Sequence, residues 1–510
     1  MSGLDPLRLT AVEAKRLLVE GETSATELTK TYLDQIAAHE GDVHAFIQLC
    51  GEEAARYAAR IDQEATAVRG ALAGLPTAIK DNMVTEGVVT TAGSHILQNY
   101  SPVYTAAAVR KLFDQHIVML GKTNLDEFAM GSSTENSAFQ VTRNPWDLAT
   151  VPGGSSGGTA AAVAAGEALW GLGSDTGGSI RQPASLCGIV GMKPTYGAVS
   201  RYGLIAFASS LDQIGPLTRS VADCALLLRH IAGYDECDST SVRLPFEVEV
   251  PTADRLDGLR FGVPVEYLAE GVEPGVRARF EETLRLIEEL GGRCQEMHLS
   301  HTEYALAAYY IIAPAEASAN LARFDGVRYG YRAAGAEDLL EMYERTRGEG
   351  FGPEVKRRIM IGTYALSSGY YEAYYGQAQK VRRLVKEDFG AAFQDFDLIV
   401  SPTSPTVAFK VGSRTQDPLA MYQSDACTIP VNLAGLPAVS IPCGLSDGLP
   451  VGFQIIGRAF SENLVLRAAH AVEGAVGFDT APTFRDSSAG VGSIGPGGLC
   501  AQDAREAVDA

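Results

Sequence analysis

The sequence predicts an α/β protein built on a large mixed, mainly parallel sheet. From about residue 70 to residue 240, short apolar strands alternate with helical stretches and glycine-rich turns, the order expected when helices connect the strands of a sheet. Two tracts rich in glycine and serine, residues 152–159 (PGGSSGGT) and 173–181 (GSDTGGSIR), enclose a small-residue segment suited to a tightly packed helix that runs into a strand. Residues 266–390 have mostly helical patterns and are expected to flank the sheet.

Residues 1–65 are predicted to be N-terminal helices that pack on the core. Thr10 and Glu13 have the spacing of a capping box just before an apolar helical pattern, and Ser24 and Glu27 repeat that signal. We therefore expect this whole stretch to be helical.

The core is predicted to span residues 66–483, with its helical portion around 266–390 and a helix including residues 275–284. Short apolar runs mark four of its strands, at residues 117–122, 187–191, 398–402 and 438–442. Residues 484–510 are rich in Gly, Ser and Ala, which predicts a flexible tail.

Composition and charge narrow the class of protein. The chain has 510 residues, 46% of them hydrophobic and 20% charged, so it can bury a large core. A formal net charge of −20 at pH 7 disfavours nucleic-acid binding by its own surface, because phosphate contacts need clustered Lys and Arg. The eight cysteines form no CxxC pair and no cluster with histidine, so no metal site is expected. Without a signal-peptide pattern or an apolar run of about 20 residues, the sequence predicts a reduced, cytoplasmic protein.

The two glycine–serine tracts favour a site that binds an oxyanion. Glycine lets backbone N–H groups approach a ligand closely, and the successive N–H groups of Thr176, Gly177 and Gly178 are predicted to form an oxyanion hole. They precede Ser179, a candidate nucleophile that needs a base to take its proton. All eight histidines lie outside the tracts. Lys80 ends an apolar run and can serve as the base if burial keeps it neutral, although a lysine that snorkels at a strand end has the same pattern.

Three other interpretations of these motifs are open. Residues 153–157 also fit the G-x-S-x-G elbow of α/β-hydrolases, with His230 or His470 as base, but this leaves Lys80 and the second tract unexplained. The same tract resembles a phosphate-binding loop, although the Gly-Lys-Ser/Thr ending is missing. The third interpretation is a non-enzymatic acidic scaffold whose glycine tracts are packing turns.

Together with residues 74–82 (GLPTAIKDN), the two tracts resemble the amidase signature family. That family uses a Ser–Ser–Lys triad, and the resemblance puts the lysine on Lys80, the bridging serine on Ser155 and the nucleophile on Ser179. These positions are 75 and 24 residues apart. The resemblance also implies a sheet covered by helices on both faces and a cis peptide bond before Ser155. Ser156 is expected to serve loop packing.

Within that family, stretches such as residues 191–197 (GMKPTYG) and 209–216 (SSLDQIGP) resemble the A subunits of tRNA-dependent amidotransferases. The resemblance implies that the chain hydrolyses glutamine and belongs to a heterotrimer with B and C subunits. The B subunit would use ATP and Mg²⁺, carry most of the tRNA contacts, and convert Glu-tRNA(Gln) and/or Asp-tRNA(Asn) with the released ammonia. No cofactor is expected on this chain itself. The alternative is a stand-alone amidase that acts on another small carboxamide with the same triad.

A glutamine pocket needs a cation for the α-carboxylate and an anion for the α-ammonium group. The resemblance puts these charges on Arg358 and Asp425, with Tyr309 as a hydroxyl partner. The sequence leaves open whether Arg357 or Arg358 faces inward. A surface basic cluster and a loop or capping aspartate are the simpler explanations of the two charged positions.

Overall fold

An 11-stranded mixed sheet organises the residues that the structure, a computed structural model, describes: 4–64, 70–268 and 271–485. Its strands are β1 (Phe46–Leu49), β2 (Pro76–Lys80), β3 (Val118–Thr123), β4 (Trp170–Asp175), β5 (Val190–Lys193), β6 (Gln213–Thr218), β7 (Arg260–Pro264), β8 (Arg293–Met297), β9 (Leu398–Pro402), β10 (Ala438–Ser446) and β11 (Leu449–Ile456). They are arranged in the order β1-β3-β2-β4-β6-β5-β10-β11-β9-β7-β8.

Fifteen α-helices accompany the sheet in the described part of the chain. They are α1 (Ala11–Glu20), α2 (Ala25–Val43), α3 (Gly51–Gln63), α4 (Ala107–Phe113), α5 (Gly157–Ala164), α6 (Arg181–Cys187), α7 (Val221–Ile231), α8 (Pro274–Glu289), α9 (Ala305–Asn320), α10 (Leu339–Gly350), α11 (Pro353–Leu366), α12 (Gln377–Asp395), α13 (Pro418–Gln423), α14 (Ile429–Ala434) and α15 (Glu462–Val476).

Local signals account for the first helices. At the start of α2, Ser24 Oγ accepts the N–H of Glu27 at 3.1 Å and Glu27 accepts the N–H of Ser24 at 3.0 Å, so the predicted capping box is confirmed. At α1 only half of the box forms. Thr10 accepts the N–H of Glu13 at 3.2 Å, but the Glu13 carboxylate pairs with Arg16 instead.

The expectation that residues before 65 are all helical was wrong for β1. The carboxylate of Glu40, near the end of α2, accepts the N–H groups of Ala45 and Phe46 at 2.8 Å each. The chain then leaves the helix and pairs antiparallel with β3. A side-chain carboxylate and a strand distant in sequence thus stabilise an extended segment that has no periodic pattern of its own.

The sheet is mixed, as predicted, but less of it is parallel than the sequence led us to expect. Of the ten neighbouring strand pairs in the described residues, four are parallel: β2–β3, β2–β4, β7–β8 and β7–β9. The other six are antiparallel. The parallel pairs form two groups toward the ends of the sheet, on either side of an antiparallel centre.

Two boundaries also differ from the prediction. The strand expected at residues 187–191 starts only at Val190, because Cys187 still belongs to α6 and Gly188, with a φ of +68°, ends that helix in the left-handed conformation. The helical stretch 266–390 contains the edge strand β8. The predicted helix at residues 275–284 is confirmed as α8.

Helices cover both faces of the sheet, which confirms the predicted fold class. Successive strand side chains point to opposite faces, and on β9 Leu398 and Val400 join one hydrophobic core while Ile399 joins the other. The first core includes apolar side chains of α1–α3, α7, α8 and α15, and the second those of α9, α11, α12 and α14. The second set of helices carries the predicted substrate residues Tyr309 and Arg358.

The predicted tail starts with two residues that the structure describes. Phe484 donates its N–H to Pro145 O at 2.9 Å and stacks on His39 with a ring-centroid distance of 4.3 Å. Residues 486–510 lie outside the described residues, so their flexibility stays a prediction. In the part of the chain that is described, no helix combines the length and the apolar character needed to cross a membrane.

Candidate active site

Three parallel strands bring the predicted triad to one edge of the sheet. Lys80 is the last residue of β2, which lies between β3 and β4. The first glycine–serine tract leads into α5, and the second includes the end of β4 and leads into α6. The N–H of Ser156 donates to Ser179 O at 3.1 Å and so joins the two tracts. The carboxyl ends of parallel strands are where α/β sheets bind ligands.

Lys80 is fully buried, and its hydrogen-bond partners among the described residues are all serine oxygen atoms. Its Nζ lies 2.7 Å from Ser155 Oγ, 2.9 Å from Ser156 Oγ and 3.0 Å from Ser174 Oγ. Burial lowers the pKa of Lys80 to about 7, although three more distant aspartates oppose the shift. A lysine with this pKa is partly neutral at physiological pH and can accept a proton.

Two serines beside Lys80 have contacts that the sequence did not reveal. Ser156 makes the packing contact expected of it, because its hydroxyl donates to Ser174 O at 3.1 Å, but it also lies against Lys80 Nζ. Ser174 Oγ in turn accepts a hydrogen bond from Asn82 Nδ2 at 2.8 Å. Their positions within the two serine tracts were the available signal. Asn82 follows Lys80 by only two residues.

Ser179 is the more accessible serine of the predicted triad. Ser179 is 7% exposed, whereas Ser155 is fully buried. The hydroxyl group of Ser179 has no hydrogen-bond partner among the described residues. The N–H of Gly178 donates to an Asp175 oxygen at 2.9 Å and is therefore not free for a ligand. The N–H groups at positions 176 and 177 have no hydrogen-bond partner in the part of the chain that is described. Two of the three predicted oxyanion donors are thus available.

A buried ion pair holds the loop that carries Ser179. Arg181 contacts both oxygens of Asp175 at 3.0 Å, and Asp175 also accepts the N–H of Ile180 at 3.2 Å. Burial alone would raise the pKa of Asp175, but the ion pair with Arg181 lowers it to about 2. Gly178 has a φ of +142°, a conformation that residues with a side chain rarely adopt. The carboxylate and the glycine together fix the turn around Ser179. The peptide bond between Gly154 and Ser155 is cis, as the resemblance implied.

The structure distinguishes the two candidate arginines by their burial. Arg357 is exposed and pairs with Glu354, whereas Arg358 is only 3% exposed. Arg358 Nε donates to Glu354 Oε1 at 2.8 Å, and its two terminal nitrogens have no hydrogen-bond partner among the described residues. Its guanidinium carbon lies 5.3 to 5.6 Å from the centroids of three aromatic rings, those of Phe207, Tyr310 and Tyr422. Arg358 therefore has the buried, partly unpaired geometry of a carboxylate ligand.

Asp425 and Tyr309 lie beside the loop that holds Ser179. A Cβ atom built on Gly177 would lie 2.8 Å from the Tyr309 hydroxyl, and one built on Gly178 would lie 3.2 Å from Asp425 Oδ1. Asp425 Oδ2 accepts a hydrogen bond from the Ser132 hydroxyl, while Oδ1 is buried without a hydrogen-bond partner in the described residues. Burial raises the pKa of Asp425 to about 7. The unpartnered Oδ1 can accept a hydrogen bond from a cationic ligand, whose charge would in turn favour the ionised carboxylate.

The histidines of the hydrolase-elbow interpretation are not positioned as bases. His230 Nδ1 lies 2.9 Å from Leu226 O, and His470 Nδ1 lies 3.8 Å from Glu473, each within its own helix. Neither has a hydrogen bond to a serine of the two tracts among the described residues. Lys80 remains the only one of the three proposed bases that contacts those serines.

The candidate site adjoins a small cavity, and a larger cavity lies elsewhere in the protein. A cavity of about 90 Å³ is lined by Glu354, Arg358 and Tyr422, among others. A much larger cavity of about 590 Å³ is lined mainly by residues of α3, with one residue each of α4 and β3, and contains no predicted site residue. No group of three or more His, Cys, Asp or Glu side chains within the described ranges is placed to hold a metal ion.

Comparisons with known proteins give the chain its family. The family model for amidases matches residues 27–466. The chain is 59% identical over 468 residues to the A subunit of the glutamyl-tRNA(Gln) amidotransferase of Moorella thermoacetica, a match that covers 91% of this chain and 96% of the relative. It is 58% identical to the corresponding protein of Caldanaerobacter subterraneus subsp. tengcongensis, covering 93% and 98%.

A solved structure agrees with these relatives. The crystal structure of the glutamyl-tRNA(Gln) amidotransferase A subunit of Thermotoga maritima superimposes with a TM-score of 0.79 at 46% identity, covering 95% of this chain and 99% of that one. The scaffold interpretation is thereby overturned, and the chain belongs to the amidase signature family.

Proposed function

We propose that this chain is the glutamine-hydrolysing subunit of a tRNA-dependent amidotransferase and that Lys80, Ser155 and Ser179 are its catalytic residues. The observation that carries the proposal is a pair of opposite, incompletely paired charges, Arg358 and Asp425, near a loop with a free serine hydroxyl. Such a pair suits an amino acid zwitterion better than a simple amide. The chain's identity of 58–59% to glutamyl-tRNA(Gln) amidotransferase A subunits supports the same function.

The hydrogen bonds around Lys80 support Ser155 as the proton relay. A neutral lysine has two N–H donors and one lone pair. The hydroxyl hydrogen of Ser156 is directed to Ser174 O, so Ser156 Oγ can only accept from Lys80, and Ser174 Oγ accepts from Lys80 as well. With the second N–H assigned to Ser174 Oγ, the lone pair of Lys80 is left for the hydroxyl of Ser155, whose distance of 2.7 Å is the shortest of the three.

The reaction begins when Lys80 accepts the Ser155 proton while Ser155 accepts the proton of Ser179. Ser179 Oγ forms a bond to the carboxamide carbon of glutamine, and the negative oxygen binds the free N–H groups of Thr176 and Gly177. Ser155 returns the proton to the leaving nitrogen, the carbon–nitrogen bond breaks, and ammonia is released. Water then hydrolyses the glutamyl ester by the same proton route. Each oxyanion donor contributes on the order of 3 kcal/mol to such catalysis.

We further propose that partner subunits complete the reaction with the released ammonia. A net charge of −20 argues against tRNA binding by this chain, so a B subunit is proposed to hold the tRNA and to use ATP and Mg²⁺, with a C subunit completing a heterotrimer. An exposed apolar group on α11 and the segment after it supports association with another protein. Its side chains are Met360, Ile361, Tyr364, Tyr370, Tyr371 and Tyr374. The cytoplasmic location stays a prediction.

The decisive experiment measures glutamine hydrolysis by the full-length protein and tRNA amidation by its complex with the partner subunits. Ser179→Ala should abolish glutamine hydrolysis and glutamine-dependent amidation but preserve amidation supplied with ammonium chloride. Ser185→Ala, which changes a buried serine on the following helix, α6, should leave all three activities intact. Assays with Glu-tRNA(Gln) and Asp-tRNA(Asn) identify the tRNA substrate.

The substrate residues discriminate this function from that of a stand-alone amidase. Arg358→Ala and Asp425→Ala should each raise the KM for glutamine at least about tenfold, because each removes a charge-assisted contact to the substrate. Ammonia-dependent amidation should be unchanged. Unaltered glutamine kinetics in both variants, or hydrolysis of other carboxamides without hydrolysis of glutamine, would favour the stand-alone amidase.

A further inference from the structure

We infer that Glu354 is a positioning residue for substrate recognition: it orients Arg358 and ties it to Tyr422, and so sets the affinity for a substrate that carries an α-carboxylate. Glu354 lies in the first turn of α11 and is 8% exposed. It belongs to none of the motifs that point to the site. The inference rests on the proposed function, because it assigns a role within the glutamine pocket.

Glu354 is the one carboxylate that pairs with Arg358 in the described part of the chain. Its Oε1 atom accepts hydrogen bonds from Arg358 Nε and from the Tyr422 hydroxyl, both at 2.8 Å. The Nε bond fixes the plane of the guanidinium group while the two terminal nitrogens stay free of protein partners. A planar guanidinium held by Nε presents those nitrogens as a fork that matches a carboxylate.

The Tyr422 contact extends this arrangement to α13. Tyr422 belongs to α13, stacks on Tyr310 with a ring-centroid distance of 3.8 Å, and precedes Asp425 by three residues. Glu354 thus connects the helix that carries the cationic group with the segment that carries the anionic group. The start of α11 is itself anchored, since Gly352 N–H donates to the buried carboxylate of Glu127 at 2.8 Å.

This arrangement predicts a selective loss of affinity. Without the Glu354 carboxylate, the guanidinium of Arg358 can turn about its side chain and the fork is no longer held toward the substrate. A ligand with an α-carboxylate should then bind more weakly. A ligand that has the carboxamide and the ammonium group but no carboxylate, such as 4-aminobutanamide, should be unaffected. A general loss of structure would weaken both ligands equally.

The test uses the full-length protein with Ser179→Ala, which removes turnover, and measures binding of glutamine by calorimetry and of 4-aminobutanamide by ligand-observed NMR. Adding Glu354→Gln, which keeps the size of the side chain, should raise the dissociation constant for glutamine about tenfold and change that for 4-aminobutanamide less than twofold. Glu387→Gln is the matched control, because Glu387 also pairs with an arginine one turn away, Arg383, at 2.8 Å on α12. It should change neither constant.

In a background that also carries Arg358→Ala, Glu354→Gln should have no further effect on glutamine, because its partner is gone. Equal weakening of both ligands, no weakening of either, or an additive effect with Arg358→Ala would overturn the inference. If the Ser179→Ala protein fails to bind glutamine at all, the proposed function falls, and this inference falls with it. Binding that is indifferent to Glu354 overturns the inference alone.

Discussion

Two buried lysines on adjacent strands, Lys80 on β2 and Lys122 on β3, have opposite surroundings. Both side chains are completely buried, and they belong to strands paired in parallel register. Lys122 Nζ lies 3.1 Å from Asp81 Oδ1 and donates to Met83 O and to the Thr90 hydroxyl. Lys80 is surrounded by serine oxygens instead.

The difference shows what separates a structural lysine from a proton acceptor. Burial lowers the pKa of both lysines. At Lys122 the adjacent carboxylate of Asp81 opposes this shift and forms an ion pair with the ammonium group. Lys80 has only neutral partners, so its deprotonated form is accessible near pH 7. Neighbouring strands of one sheet thus hold the same residue type in an ion pair and in surroundings that suit the proposed base, and the partners of the amine make the difference.

A third buried lysine shows that a lowered pKa alone is not enough. Burial lowers the pKa of Lys193 to about 7 as well, yet its Nζ donates only to Pro194 O among the described residues. Within the described ranges it has no hydrogen bond to a hydroxyl group that could pass on a proton. A base for serine chemistry needs both the neutral amine and the chain of hydroxyl groups, and of these three lysines Lys80 has both.

The largest expected effect is on activity when Lys80 is replaced. Lys80→Ala should lower kcat for glutamine hydrolysis by about 10³-fold, the usual contribution of a general base. Lys80→Arg should not restore activity, because a guanidinium stays protonated. Steady-state kinetics measure both variants, with circular dichroism to verify folding. An active Lys80→Arg enzyme would contradict the neutral-lysine mechanism and erase the distinction from Lys122.

The second effect is on stability when Lys122 is replaced. Lys122→Ala leaves the buried carboxylate of Asp81 without its cation and should lower the free energy of unfolding by about 3–5 kcal/mol, as for other broken buried ion pairs. Lys80→Ala should cost much less, because no charged partner is left behind. Urea denaturation of the two variants compares these values directly. A larger loss of stability in Lys80→Ala would reverse the roles assigned to the two lysines.

Local sequence signals predicted those parts of the fold that depend on few residues. The capping box at Ser24 and the strand at Leu398–Pro402 formed as expected, since each is specified within a few positions. The direction of strands was harder to predict. β1 and the antiparallel centre of the sheet depend on pairing with segments far along the chain, for which a run such as residues 46–49 carries no signal.

The same distinction applies to the candidate site. The tracts that contain Ser155 and Ser179 could be recognised as motifs, and the spacing of Glu354 and Arg358, four residues apart on one helix, was a usable sign of an ion pair. The contacts of Ser132 with Asp425 and of Tyr422 with Glu354 bring together positions 293 and 68 residues apart. No pattern within a single sequence announces such contacts.

The third effect is a pH dependence that separates Lys80 from Asp425. Both groups act in their deprotonated forms, and both have a pKa of about 7, so activity should rise with pH through this value and level off above it. Bound substrate keeps Asp425 ionised, so kcat depends on Lys80 alone and log kcat should fall below pH 7 with a slope of one. In the free enzyme both groups must lose a proton, so log kcat/KM should fall with a slope that approaches two. Asp425→Asn should reduce the second slope to one. Identical profiles for kcat and kcat/KM in the parent enzyme would contradict this assignment.

The smallest expected effect on activity is that of replacing Ser174. This serine is one of the neutral groups around Lys80 that take the place of the carboxylate beside Lys122, so the variant tests the comparison of the two lysines directly. Ser174 Oγ accepts hydrogen bonds from Lys80 and from Asn82, so it helps to direct the lone pair of the amine but carries no proton to Ser179. Ser174→Ala should therefore lower kcat only about fivefold, within the roughly 1 kcal/mol of a single neutral hydrogen bond, and leave KM unchanged. Ser155→Ala, which breaks the relay, should be far more severe in the same assay. If the two variants lose activity to the same extent, the relay is not specific to Ser155, and the whole serine cluster around Lys80 must be treated as one proton-transfer unit.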